Sequence, residues 1–459
     1  MAQPRVIVIG AGPAGVRAAQ TLLAAGVRPT VIDEGSMAGG QIYRRQPPGF
    51  TRSYDTLYGP EADKARAVHR DFDALAGRVD YRPETLAWAL RENTLHVMHG
   101  GVAEALEFDA LILATGATDR LIPMRGWTLP GCFSLGGAQI ALKAQGCAIG
   151  ARPVFMGTGP LLYLVAYQYL KAGAKPVAVL DTSPAAAQRA AFPRLLARPA
   201  LALRGAAMRL RLQLAGVRIE NGVEPVAIEG DEGVAGVRYR KVRGGEEALS
   251  CDAVGLGYHL RSETQLADLA ECEFVFDETI AQWKPWTDAD GRSSRPDVVI
   301  AGDGARVLGA DAAEAAGRLA ALAVLADCGL QDTAAERARL RKVLGRMERF
   351  RQGLAQAFPW PAHLARAVED DVVVCRCEEI TAGTMRAVSQ EKGAPELNRA
   401  KALSRVGMGR CQGRYCGHAA AEILAGSRGC PLKDVGRLRG QAPVKPLSLA
   451  TVGAQAQPD

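Results

Sequence analysis

Arg5-Val-Ile-Val-Ile-Gly10-Ala-Gly12-Pro-Ala-Gly15 is the stretch that decides the fold. The unbroken β-branched run Val6 to Ile9 reads as a strand buried on both faces, as in parallel sheets. Gly10-x-Gly12-x-x-Gly15 follows at once and opens an Ala-rich helix predicted from about Pro13 to Ala25. Pro29-Thr-Val-Ile-Asp33 then reads as a second strand, closing a βαβ unit on an acid. Gly10 permits the turn, Gly12 lets a pyrophosphate approach the backbone, and Gly15 lets helix and strand pack closely. The phosphates would rest on the helix N-terminus, at Pro13 and Ala14. Asp33, with Glu34 beside it, is placed to accept from adenosine ribose hydroxyls. The competing reading is a chance glycine-rich turn; strand, helix and acid in register weigh against it.

The unit recurs. Pro153-Val-Phe-Met-Gly157 is a strand, Leu161 to Ala172 a helix, and Val177-Ala-Val-Leu-Asp181 a strand ending on an acid. From first glycine to closing acid is 23 positions in the first copy and 24 in the second. A repeat of this kind predicts two dinucleotide-type folds in one α/β chain. Phe108-Asp-Ala-Leu-Ile-Leu-Ala-Thr-Gly116 and Val298-Val-Ile-Ala-Gly-Asp303 read as further buried strands, and Ala310 to Ala326 as a helix with a small-residue face. Residues 333–366 read as a charged helical stretch ended by Pro359 and Pro361. The expected organisation is a first dinucleotide-binding domain in two parts, 1–125 and 259–330, around a second, degenerate dinucleotide fold, 126–258. A helical linker, 331–370, a small Cys-containing helical unit, 371–426, and an extended tail, 427–459, complete it.

Composition agrees with a folded protein. The chain has 459 residues, 48% hydrophobic and 23% charged, which excludes disorder, collagen and coiled coil as the main architecture. Its net charge of +7 is spread along the chain, which fits an anionic cofactor or acidic partner better than nucleic acid. No apolar run reaches the ~18 residues of a membrane span, and the short run Val6 to Ile9 is no signal peptide. The ten Cys suggest no disulfide framework in a chain of this size, so the cytosol is the expected compartment.

Three further segments favour FAD over NAD at the first fold. Gly39-Gly40-Gln41 follows the acid in a loop that could reach the flavin edge. Ala114-Thr115-Gly116 supplies a second tight turn, and Gly302-Asp303 is expected to end a strand and start a helix whose N-terminal dipole would favour a reduced flavin. Asp303 would bond ribityl hydroxyls or, on the plainer reading, serve as a helix N-cap. These segments resemble the flavoprotein superfamily of thioredoxin and glutathione reductases. The resemblance departs in two places. The chain has no C-x-x-C pair, and Cys132 and Cys147 read as small core residues, so a disulfide reductase is not expected. The second fold reads Gly157-Thr-Gly159-Pro-Leu-Leu162, with Leu in place of the third Gly. NAD(P) binding there is therefore doubtful, and a retained scaffold is the other reading.

Cys375-Arg-Cys377 and Cys411-Gln-Gly-Arg-Tyr-Cys416, 33 residues apart, could surround a [2Fe-2S] cluster from two short loops joined by a helical hairpin over 380–404. A zinc site of four cysteines competes, but structural zinc ligands come as C-x2–4-C on both sides, which C-x-C fits poorly. Cys375-Arg-Cys-Glu-Glu-Ile-Thr381 and Gly407-Met-Gly-Arg-Cys-Gln-Gly-Arg-Tyr-Cys416 resemble the bacterioferritin-associated-ferredoxin-like [2Fe-2S] domain. Arg376, Arg410 and Arg414 would offset a negative cluster or simply be solvated.

The order of these parts, with Gly39-Gly-Gln-Ile-Tyr-Arg44, Gly136-Gly-Ala-Gln139 and Gly159-Pro-Leu-Leu162, resembles a group of larger FAD-containing subunits of bacterial amine and amino-acid dehydrogenases. Opine oxidase, D-hydroxyproline dehydrogenase and hydrogen cyanide synthase typify that group. The resemblance implies an electron-transfer subunit carrying FAD and [2Fe-2S], working beside a second flavoprotein (beta) subunit of the D-amino-acid-oxidase or sarcosine-oxidase type that oxidises an opine, secondary amine or D-amino acid. It also admits FMN at the interface between subunits, a further small subunit in the complex, a place peripheral to the inner membrane, and an adenine nucleotide where FAD is expected. No catalytic residue is assigned, since none of the six His (69, 96, 99, 259, 363 and 418) sits in a motif. A self-contained NAD(P)H-dependent reductase remains the alternative.

Overall fold

The computed structural model describes residues 3–241 and 244–448. Strand β1 (Val6–Ile9), helix α1 (Pro13–Ala24), β2 (Thr30–Ile32), β3 (Asp80–Arg82) and β4 (Ala110–Leu113) build the first unit. The second unit comprises β5 (Cys132–Ser134), α2 (Leu135–Ala144), β6 (Pro153–Thr158), α3 (Pro160–Lys171), β7 (Ala178–Asp181), β8 (Arg218–Asn221) and β9 (Ala253–Tyr258). The chain then returns to the first sheet with β10 (Val298–Ile300) and α4 (Ala310–Asp327). The first sheet is parallel, in the order β10-β4-β1-β2-β3, with Val6 opposite Ala110 and Ile7 opposite Thr30. The second is also parallel, in the order β8-β7-β6-β9-β5. Two short strands, Ala117–Asp119 and Leu260–Ser262, pair antiparallel where the chain crosses between the units.

The pleat of β1 explains why it is apolar throughout. Val6 and Val8 face a core with α1 and α4, while Ile7 and Ile9 face another with Phe108 and with Leu95 and Val97 of the antiparallel three-stranded sheet over 85–107. The two helices approach closely because small residues meet: a Cβ on Gly317 would fall 2.0 Å from the carbonyl oxygen of Ala14.

Helix α5 (Ala334–Ala357) follows, and Pro359 and Pro361 separate it from the short helix Ala362–Arg366. The Cys-containing unit is built on α6 (Ala382–Gln390), α7 (Leu397–Ser404) and α8 (Gly417–Arg428). It shares one continuous core with the second sheet, in which Val154, Val254 and Trp127 join Val374, Met385 and Ile423. Helix α8 ends on Gly429 in the left-handed conformation, and after a 3-10 turn, Leu432–Val435, the chain runs extended over the first unit. The part of the tail over 449–459 lies outside the described residues. Among the described residues no helix is long and apolar enough to cross a membrane.

Candidate functional site: a dinucleotide cradle and a four-cysteine centre

The glycine turn after β1 is pinned from three sides. Gly10 NH donates to Ile32 O (2.7 Å), Ala11 NH to Asp33 Oδ2 (2.5 Å) and Gly39 NH to Ala11 O (2.8 Å). Gly10 (φ +104°) has to be glycine, since a Cβ would fall 2.4 Å from Ala114 O. Gly15 packs onto the Gly10 carbonyl in the same way. The N-terminus of α1 carries no side-chain cap, so its first amides are available to an anion. A Cβ on Gly12 would meet only Gly40 Cα, at 3.5 Å, so two glycine backbones bound the space before the helix. Gly302 approaches Ala14, and Gly304 approaches Thr115 Oγ1 and the Gly116 amide. Gly10, Gly12, Pro13, Ala14, Gly15, Gly40, Ala114, Thr115, Gly116 and Gly302 are thus brought together around one backbone-lined cradle, as a pyrophosphate site requires.

Four of the sequence-selected groups are engaged differently. Asp33 spends its second oxygen on Gly35 NH (2.6 Å), and burial pushes its carboxyl above the usual range. Glu34 is exposed and ion-paired with Lys445. Gln41 is exposed and its side-chain oxygen accepts from Arg44 (2.7 Å). Gly302-Asp303 does not start the long helix. It forms a 3-10 turn, Gly302–Gly304, while α4 begins after Gly309 (φ +88°), whose positive φ places the N-cap six residues later. The Asp303 carboxylate accepts from the amides of Leu308 (2.9 Å) and Gly309 (3.2 Å), bracing the intervening loop.

The four cysteines converge from two loops. Cys375 and Cys416 are buried, Cys411 is half-buried and Cys377 is exposed. The thiols neighbour one another in pairs, Cys375 with Cys416, Cys416 with Cys411, and Cys411 with Cys377. The Cys416 thiol, with the amides of Gly407, Glu378 and Cys377, holds Cys375 below the usual thiol range. Cys416, with the amides of Tyr415 and Gly413, does the same for Cys411, and Cys416 itself is pushed up by these neighbours. Backbone N–H groups aimed at sulfur are what a negatively charged iron–sulfur centre needs. A Cβ on Gly409 would fall 2.1 Å from Cys377 Cβ, so glycine there admits the thiol. Cys147, by contrast, is exposed rather than in the core, since it lies in the turn after α2.

One short segment joins the two sites. Arg414, between Cys411 and Cys416, pairs with Glu263 (2.8 Å). The Glu263 carbonyl accepts from Thr115 Oγ1 (2.7 Å), and its amide donates to Gly116 O (3.0 Å). Gln265 donates to the Gln412 carbonyl (2.6 Å). The tail completes the clamp. A Cβ on Gly407, Gly413 or Gly417 would fall 2.6, 2.5 or 3.0 Å from Leu438 Cδ1, so that side chain lies on three glycines of the cysteine loop. Val444 NH donates to Trp88 O (3.0 Å), and Arg437 pairs with Asp268 (2.6 Å).

In the second fold, the corresponding acid and glycine are engaged by the protein's own side chains. Asp181 is buried and accepts from Tyr163 OH (2.7 Å), Ser183 NH (2.8 Å) and Gln188 Nε2 (3.1 Å); burial pushes it up to about 6. The His259 ring lies 3.2 Å from where a Gly159 Cβ would be, and its Nε2–H donates to Phe358 O (2.7 Å). Leu162 is fully buried.

Sequence reasoning missed Glu263, His259 and Lys143, whose buried Nζ donates to Ile42 O (2.9 Å) and is pushed down to about 7 by burial. Nothing local marks Glu263 or Lys143. His259 carries a signal only in its backbone, a φ of +68°, which is uncommon outside glycine.

Comparison with known proteins agrees with this architecture. Residues 4–320 match the family described as pyridine nucleotide-disulphide oxidoreductase, and residues 373–426 match the BFD-like [2Fe-2S] binding domain. The chain is 39% identical to the A subunit of opine oxidase from Rhizobium meliloti, over 97% of this chain and 86% of that one. It is 38% identical to the A subunit of opine oxidase from Agrobacterium tumefaciens (strain Ach5), over 97% and 90%. It is 32% identical to the HcnB subunit of hydrogen cyanide synthase from Pseudomonas aeruginosa, over 96% and 97%. Among solved structures it resembles L-proline dehydrogenase from P. horikoshii, with a TM-score of 0.71, 18% identity, and coverage of 99% of this chain and 80% of that one. Thioredoxin reductase of T. acidophilum aligns with 71% of this chain and 99% of its own, at a TM-score of 0.51 and 19% identity. At these identities the structural likenesses speak to fold alone.

Proposed function

Because this chain belongs to the pyridine nucleotide-disulphide oxidoreductase family, and within it to the group of the opine oxidase A subunits, we propose that it is the FAD- and [2Fe-2S]-carrying electron-transfer subunit of a hetero-oligomeric dehydrogenase that oxidises an opine or another secondary amine or D-amino acid at its CH–NH bond. The observation that carries this reading is the Arg414–Glu263–Thr115/Gly116 link, which ties the cysteine loop to the dinucleotide cradle. Flavin supplies two-electron acceptance and one-electron release, and the cluster one-electron transfer. The chain's own residues position both groups. Gly10, Gly12, Ala14 and Gly15 would hold a pyrophosphate at the open end of α1, and Pro13 pre-sets the first helical turn. Asp33 orders the glycine turn and retains lone pairs for a ribose hydroxyl. Glu34 stands at the same end, with Lys445 beside it. Gly40, Gln41, Ala114, Thr115, Gly116, Gly302 and Asp303 would line the rest of the flavin site. Cys375, Cys377, Cys411 and Cys416 would ligate the iron.

The sealed Asp181 and the His259 ring over Gly159 favour the second fold as scaffold, and with it an electron-transfer role over that of a self-contained NAD(P)H reductase. Amine oxidation then falls to a second flavoprotein subunit of the D-amino-acid-oxidase or sarcosine-oxidase type. FMN at the interface between subunits, a further small subunit in the complex, and a cytoplasmic location, free or peripheral to the inner membrane, belong to the same proposal. The test is co-expression with the partner flavoprotein, followed by dye reduction with octopine, nopaline and D-hydroxyproline. The mixture should reduce the dye and this chain alone should not. Full-rate oxidation by the isolated chain would overturn the division of labour.

A further inference from the structure

Two guanidinium groups beside the cysteine loop have no carboxylate partner among the described residues. Arg120 is 2% exposed. It donates to the carbonyls of Ile280 (2.7 Å) and Ala281 (3.0 Å) and to Nε2 of His418, and it stacks 3.7 Å from the ring centre of Trp360. Arg261 is half-buried and lines a cavity of about 60 Å³ together with Gln412, Gly413, Gly417 and His418. The Nε atoms of both arginines are buried without a hydrogen-bond partner. The nearby carboxylates are committed elsewhere, Glu263 to Arg414 (2.8 Å) and Glu422 to Arg366 (2.9 Å) and Trp360 Nε1 (2.8 Å).

Buried cations left unpaired are costly, so a compensating negative charge is expected within reach. The residues around Arg120 and Arg261 indicate its source. Gln412 and Gly413 lie between Cys411 and Cys416, and His418, bonded to Arg120, is two positions beyond Cys416. A four-thiolate [2Fe-2S] centre is negatively charged and becomes more so on taking up an electron. We infer that Arg120 and Arg261 are the countercharge of this centre and set its reduction potential, stabilising the reduced state from inside the protein. They act as positioning residues for charge and touch no substrate. The inference rests on the reading of the four thiols as iron ligands. The arginines nearest in sequence are poorer candidates: Arg376 and Arg410 are exposed, Arg376 stacking on Trp127 (4.6 Å), and salt screens exposed charges far more than buried ones.

The full chain, prepared anaerobically, is titrated with dithionite through mediator dyes while the reduced cluster is followed by electron paramagnetic resonance, at low and high salt. Arg261→Gln should disfavour reduction by about tenfold, a displacement of ~59 mV for one electron, with iron content unchanged. Arg261→Lys should restore most of the potential, and Arg376→Gln should move it much less, and only at low salt. An unmoved potential in an iron-replete Arg261→Gln overturns the inference and leaves the cluster reading standing. No resonance from the reduced unsubstituted chain overturns the cluster reading, and the inference with it. Should Arg261→Gln lose its iron, the salt series on the unsubstituted chain decides. A steady potential supports buried countercharge; one that falls steeply with salt assigns the role to exposed arginines and overturns the inference.

Discussion

At Gly12 the dinucleotide cradle depends on the size of one side chain. A single Cβ would fit, 3.5 Å from Gly40, but the branched methyls of valine would occupy the space in front of α1. Gly12→Val should therefore abolish flavin binding, read as loss of yellow colour, while Gly12→Ala should weaken it. The variant also forgoes the stability that bound ligand confers, about 2.7 kcal/mol at a hundredfold excess over Kd, measurable as a lower Tm. His259 sets a different limit. Burial, with Arg120 nearby, pushes its imidazole down to about 4 against an ordinary value of ~6.5, and burial also lowers His69. Below pH ~6.5 the unfolded chain binds protons that the folded chain refuses, so stability is intact above that pH and falls towards pH 4. The fall attributable to His259 is at most about 3 kcal/mol. His259→Asn tolerates the positive φ and removes the titration, so its Tm should decline less steeply from pH 7 to pH 5 than that of the unsubstituted chain.

At the scale of elements, what could be read from sequence was local. The β1–glycine turn–α1–β2 unit was legible because strand, turn and helix each carry their own pattern within 30 residues, and the helical hairpin between the cysteine loops was legible from its length. The start of α4 was misplaced because Asp303 has the chemistry of an N-cap, whereas Gly309, six residues on, has the backbone freedom to be one. Contacts such as Arg120 to His418, 298 positions apart, leave no trace in a linear reading. The cysteine loops yield a prediction of their own. Cys411→Ser should lose iron yet keep flavin, because the cradle's core is built from α1, α4 and the first sheet and not from the cysteine unit. Iron and flavin analysis of one preparation checks both halves.

Across the whole molecule, the second sheet and the cysteine unit share one core. A scaffold role, as proposed above, fits the contacts that Asp181 and Gly159 make with neighbouring side chains. NADH should consequently reduce the bound flavin slowly or not at all in stopped-flow absorbance. Rapid bleaching would make the reductase reading the better one.

The clamp of Leu438 and Val444 has a consequence in time. Ribosomes add roughly 5–20 residues per second, starting from the N-terminus. Cys416 is therefore made about 1–6 s before Lys445. All four cysteines exist before the segment that lies across their loops, and until it docks the glycine face under Leu438 stays open. In the folded chain, iron delivery must first lift a segment held by the Arg437–Asp268 pair and the Val444–Trp88 hydrogen bond.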